Sequence, residues 1–266
     1  IIFIVLVFLV LVLVQVRWGF REGDRTEPDE QGPRLSHIQI AEDDQVVDLA
    51  PESLLTRREL AELMEGRIRS LAGRKTNERR VAAIQLAYMT NDPREHEKLL
   101  RLGEELLERA EDALLKGLQD TDEAVAKSCR EALVGLWRIS DSTAAGEHFR
   151  QGLAAVEARQ WDLALQTFES IEGLAGSVPP DLYRMKAEVY LAKSLPEQAL
   201  AECLHALQAE PRHFMAFYVL ARAYAQNAEY DDANRALNKA LSIYTDFPEA
   251  LRLRARILAL QEETGP

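Results

Sequence analysis

Three alanines constrain this chain more tightly than any other feature. Ala164, Ala199 and Ala233 stand 35 and 34 residues apart, and their neighbourhoods repeat with them. Twelve positions before each lies a small residue, Gly152, Ala187 and Ala221, and nine before stand Ala155, Tyr190 and Tyr224. Four positions after come Phe168, Cys203 and Leu237, and seven after come Ile171, Ala206 and Ala240. Offsets of three, four and seven are neighbours on one helix face. A unit of this length predicts two helices and a turn. Its small residues let the paired helices approach closely, and its larger ones fill the space between adjacent units. Pro211 lies twelve residues after Ala199; the third unit has Pro248 instead, and the first has Gly176. One such unit cannot bury its apolar face alone, so three stacked units and a last helix from Pro248 to Leu260 are expected to close a common core.

Between Leu54 and Ser140 apolar residues also recur at helical spacing. Arg57 to Leu71 carries Leu60, Leu63, Ile68 and Leu71, and Asn77 to Tyr88 carries Val81, Ile84, Leu86 and Ala87. One long helix is expected from Pro93, with Leu99, Leu102, Leu106, Ala110, Ala113, Leu114 and Leu118 as its stripe. An Asp120-Thr121-Asp122 turn can cap the next helix, which continues through Val125, Ala126, Cys129, Ala132 and Leu133 to Trp137. These spacings predict about four helices in antiparallel pairs. The hairpin around the aspartate turn resembles a HEAT-type unit, and residues 144–262 resemble the tetratricopeptide (TPR) repeat family. The fold class implied is all-α: an α-solenoid of TPR helix pairs preceded by HEAT-like helices over 54–140.

Two segments stand apart in composition. Ile1 to Val16 contains fifteen apolar residues and Gln15, and continued to Phe20 it would rise roughly 30 Å as a helix, about one hydrocarbon thickness. A transmembrane anchor is expected over 1–20, with Phe3 and Phe8 in the bilayer and Trp18 in an aromatic belt. Arg17, Arg21 and Arg25 follow it, which assigns the remaining chain to the cytosolic, stromal or matrix side. Glu22 to Glu52 holds ten acidic and two basic residues, so this stretch carries −8 of the net −12, with Pro28, Pro33 and Pro51 interspersed. That composition favours an extended tether over 21–53. With no initiator Met, removal of a transit sequence is expected, and with it a single-pass protein of an organelle membrane, thylakoid or inner mitochondrial.

Chemistry is sparse. An acidic chain without a basic stripe is a poor nucleic-acid binder. Five histidines fall in separate segments without metal-ligand spacing, Cys129 and Cys203 sit at packing positions, and no phosphate loop or nucleophile motif is present. Trp137 and Trp161 read as core anchors, and Glu104, Glu105, Glu108, Glu111 and Asp112 as a solvated helix face. No catalytic residue, cofactor or metal is expected, and the function class is a non-enzymatic scaffold. The TPR resemblance implies a partner-binding groove lined by Phe149, Arg150 and Leu153 in the first repeat, Arg184, Met185 and Glu188 in the second, and Tyr218 and Arg222 in the third. The TPR type that clamps a C-terminal carboxylate needs Lys and Asn where this chain has Phe149 and Leu153. Two functions follow as expectations. One is an accessory or assembly subunit of a larger membrane complex, held to other subunits and the lipid bilayer through the transmembrane helix and the groove. The other is a peptide-binding adaptor or receptor for soluble clients.

Overall fold

The computed structural model describes residues 56–139, 143–174, 176 and 178–264. The apolar run over 1–20 with Phe3, Phe8 and Trp18, and the acidic tether over 21–53, lie outside the described residues. Among the described residues no helix is long and apolar enough to cross a membrane. The single-pass thylakoid or mitochondrial localisation is corrected accordingly. The physical reason lies in amphipathy: even the 17-residue helix Pro248–Thr264 carries Glu249, Arg252, Arg254 and Arg256.

The first region is two stacked hairpins. Helix α1 (Arg57–Leu71) starts with a capping box, in which Thr56 Oγ1 accepts from Glu59 N and the Glu59 carboxylate accepts from Thr56 N at 2.8 Å. Helix α2 (Thr76–Asn91) returns along it. The long helix expected from Pro93 is broken into α3 (Pro93–Leu100) and α4 (Glu104–Gly117) by Gly103, whose φ of 96° costs a glycine little and any other residue much. Asp122 caps α5 (Glu123–Leu136) as its spacing predicts, accepting from Val125 N at 3.1 Å. Helix α1 packs on α4, and α2 on α5. Two arginines of α2 clamp the aspartate turn from the side. Arg79 holds Asp120 through Nε at 2.6 Å and Nη2 at 3.0 Å, and Arg80 holds Asp122 in the same two-pronged way.

Three TPR-like pairs follow: α6 (Thr143–Glu157) with α7 (Trp161–Glu172), α8 (Pro180–Ala192) with α9 (Pro196–Ala209), and α10 (Phe214–Gln226) with α11 (Tyr230–Ile243). Helix α12 (Pro248–Thr264) ends the array. All three turns within pairs are built alike. Arg159, Ser194 and Ala228 adopt φ of 57°, 59° and 60°, and each next residue donates its N–H to the carbonyl five residues back, Gln160 to Ala155, Leu195 to Tyr190 and Glu229 to Tyr224, at 2.8–2.9 Å. This is the Schellman ending, which satisfies carbonyls that a helix leaves open. Where the first helix of a pair carries Gly152 the second presents Phe168, and a Cβ on Gly152 would stand 2.2 Å from that ring. Where the first helix carries Ala187 or Ala221, the second has the smaller Cys203 or the aliphatic Leu237. One core cluster runs from the hairpins into the second and third pairs and α12, and another joins α6 and α7 to α8.

Candidate partner-binding cleft

The hairpins meet the repeat array at the ends of its helices. Trp137, just past α5, is buried with its ring 4.2 Å from that of His213 and 5.7 Å from that of Phe214, at the start of α10. Its Nε1 donates to Glu111 Oε1 at 3.1 Å, and Arg212 Nη2 reaches Glu111 Oε2 at 2.8 Å. Glu111 is therefore no solvated residue: burial raises its carboxyl pKa, and Trp137 and Arg212 oppose that rise. Beside this contact Asp181 is fully buried, accepting from Arg138 Nε at 2.6 Å and from Arg184 Nη2 at 2.9 Å, with His213 Nε2 at 3.3 Å. Burial pushes the Asp181 carboxyl up, but Arg184, Arg138 and His213 together hold it well below the usual carboxylate range. His213 Nδ1 caps α10 by accepting from Ala216 N at 3.3 Å, and burial lowers its imidazole pKa. Two further polar bridges complete the seam. Gln119 Nε2 donates to Ile243 O at 2.8 Å, and Arg130 pairs with Glu249 at 3.2 Å.

This seam opens a cleft of about 590 Å³ with one wall from each region. Ile84 and Tyr88, one turn apart on α2, and Val134 of α5 form the first wall; Met215 of α10 and Glu249 of α12 form the second. Ile84 is 37% and Tyr88 40% exposed. Ile84 therefore lies off the core stripe of α2, where Ala82, Ala83, Leu86 and Met89 are buried instead. The cleft's arginines are already engaged, Arg130 with Glu249 and Arg138 with Asp181. Beside them the lining is mostly apolar, with Ser128 and Glu131 as further polar residues.

The groove residues expected from the repeats divide into three groups. Arg184, Glu188, Tyr218 and Arg222 lie near one another, but Arg184 is buried between Asp181 and Glu188 rather than open to a partner: its Nη1 donates to Glu188 Oε1 at 2.6 Å, Arg222 lies 5.7 Å over the Tyr218 ring, and Tyr218 in turn packs edge-on to Phe247. Burial raises the Tyr218 phenol, with Arg222, Glu249 and Glu188 close enough to act on it. Phe149 and Met185 are buried in the core around α6, with Leu153 half-buried beside them; the Arg138 guanidinium lies 5.5 Å over the Phe149 ring. Arg150 stands alone, exposed and paired with Glu147 of its own helix. The α2–α5 wall is not visible in the repeat alignment. Its one trace is that α2 carries apolar residues on two faces, Leu86 and Met89 on one and Ile84 and Tyr88 on the other. Cys129 and Cys203 are buried, and burial pushes the Cys129 thiol up to about 12 and Cys203 higher still, so neither is a thiolate at neutral pH.

No protein-family model and no curated protein matches the chain. Solved structures similar to it are TPR domains. The first TPR of Spaghetti (RPAP3), bound to the HSP90 peptide SRMEEVD, is 17% identical with a TM-score of 0.44, over 46% of this chain and 97% of that one. The Sgt2 TPR domain from Aspergillus fumigatus is 20% identical with a TM-score of 0.42, over 45% of this chain and 80% of its own. The Arabidopsis OM64 TPR domain is 21% identical with a TM-score of 0.41, over 43% and 93%. The similarity is one of fold, extending over less than half of this chain in each case.

Proposed function

We propose that this chain is a non-enzymatic interaction scaffold, an accessory or assembly subunit of a multiprotein complex, that holds an amphipathic segment of a partner protein between the α2–α5 wall and the α10–α12 wall. The observation that carries this reading is the pairing of exposed Ile84 and Tyr88 with Met215 across a cleft whose arginines are satisfied internally. Apolar surface removed from water supplies roughly 25 cal/mol per Å², so a partner anchors there with bulky apolar side chains. A carboxylate-clamping mode is disfavoured, because Phe149 and Leu153 stand where that mode needs Lys and Asn. The test compares partner recovery with tagged wild-type protein, Ile84→Asp, Tyr88→Asp and, as a control on another exposed leucine, Leu163→Asp. Loss of the partner with the two cleft variants alone, at unchanged helical circular dichroism, supports the reading. Equal recovery by all four proteins contradicts it.

A further inference from the structure

Helix α12 repeats the residue pattern of the first helices of the pairs. The 34-residue period continues into it: Tyr183, Ala187 and Tyr190 of α8 become Phe217, Ala221 and Tyr224 of α10, and then Leu251, Ala255 and Leu258 of α12. In the pairs these positions face the second helix. Gly152, equivalent to Ala187, lies against Phe168 of α7, and the Tyr183 ring meets His205 of α9. Ala187 and Ala221 are fully buried there. In α12 the same face is open: Leu251 is 37% and Leu258 50% exposed, and Ala255 is exposed between them. The opposite side of α12 packs on α10 and α11 through Ala250 and Ile257. An array's last helix ordinarily turns a polar face outward; this one turns out the contact face that its predecessors use internally.

The flanks of the face add charge. At 100° per residue Arg252 and Arg256 lie to one side of the Leu251–Ala255–Leu258 stripe and Arg254 to the other. Arg252 and Arg256 are exposed and Arg254 half-buried. We propose that the outer face of α12 is a docking site for an amphipathic helix of a partner protein that bears the array's own second-helix pattern and acidic flanks. The pattern is a small residue followed by apolar residues four and seven positions on, as in Ala199, Cys203 and Ala206 of α9. The interface is continuous with the α8–α9 and α10–α11 contacts, and the arginine rim complements the acidic flanks.

The probe is a labelled, end-capped peptide of the α9 sequence, Pro196–Ala209, whose only charged side chains at neutral pH are Glu197 and Glu202. It is titrated into the whole chain. Saturable binding is expected, weakened at least tenfold by Leu258→Arg and severalfold by replacing both peptide glutamates with lysine. Leu163→Asp, on exposed α7 surface, is expected to leave it unchanged. Absent or non-saturable binding overturns the proposal. Binding indifferent to Leu258→Arg does so too, because the peptide would then be exchanging with α9 in its own pair. Sedimentation velocity supplies the remaining outcome. A concentration-dependent dimer dissolved by Leu258→Arg would assign the face to a second copy of the chain and equally overturn the partner helix.

Discussion

Gly152 and Phe168 form one fitted unit, since a methyl at position 152 has no room beside the ring. Gly152→Ala is expected to cost about 1–3 kcal/mol, the usual penalty for overfilling a packed site. Adding Phe168→Leu is expected to recover part of that loss, and the urea midpoints of the two single variants and the double variant measure both effects. His213 sets the pH behaviour at the same scale. Its folded pKa lies below the ordinary 6.5 because it is buried. Above pH 6.5 it is neutral folded or unfolded, and its contribution is complete. As pH falls below 6.5 the unfolded chain takes the proton first, so stability declines, by at most about 1.4 kcal/mol per pH unit. Asp181 acts in a separate window: its depressed pKa contributes stability above the ordinary 3.8, which is lost only as pH falls further, through its folded value. Thermal midpoints between pH 7.5 and 5.5 are therefore expected to fall in the wild type. His213→Asn keeps an N-capping side chain and removes the titration, so its midpoint should fall less over that interval.

At the level of elements, each repeat turn places a residue with a Cβ in the left-handed region, where glycine is at ease. That conformation costs a non-glycine residue roughly 1–2 kcal/mol, partly offset by the extra freedom glycine has when unfolded. Ser194→Gly and Ala228→Gly are each expected to stabilise by about 0.5–1 kcal/mol, read as a rise in the unfolding midpoint. These turns show what periodicity conveys and what it leaves out. The spacing of Ala164, Ala199 and Ala233 fixed the pairs, and Arg57 to Leu71 coincides with α1. The break at Gly103 was not legible, because Leu99, Leu102 and Leu106 keep their rhythm straight across it while the backbone turns. Nor did anything local announce that Arg79 and Arg80 reach Asp120 and Asp122, about forty residues away.

Across the described residues, the hairpins and the array are one structure because Trp137, Glu111 and Arg138 meet Arg212, His213 and Asp181 at their seam. Trp137→Ala is expected to cost about 3–5 kcal/mol, and hydrogen exchange should quicken on both sides of the seam, in α5 and at the start of α10. The neighbourhood of Arg184, Glu188, Tyr218 and Arg222 was readable from the repeats, but none of the four lines the cleft and Arg184 is buried. The α2–α5 wall was not readable, since Ile84 and Tyr88 precede Met215 by well over a hundred residues and only the folded seam brings them opposite. The most direct measurement of the composite cleft is site-specific photo-crosslinking from both walls, with a photoreactive side chain placed at Tyr88 in one protein and at Met215 in another. Adducts to the same peptide of the same partner, absent when the group sits at Leu163, are the predicted result. Adducts to unrelated proteins from the two walls, or equal yield from Leu163, would contradict a shared partner site.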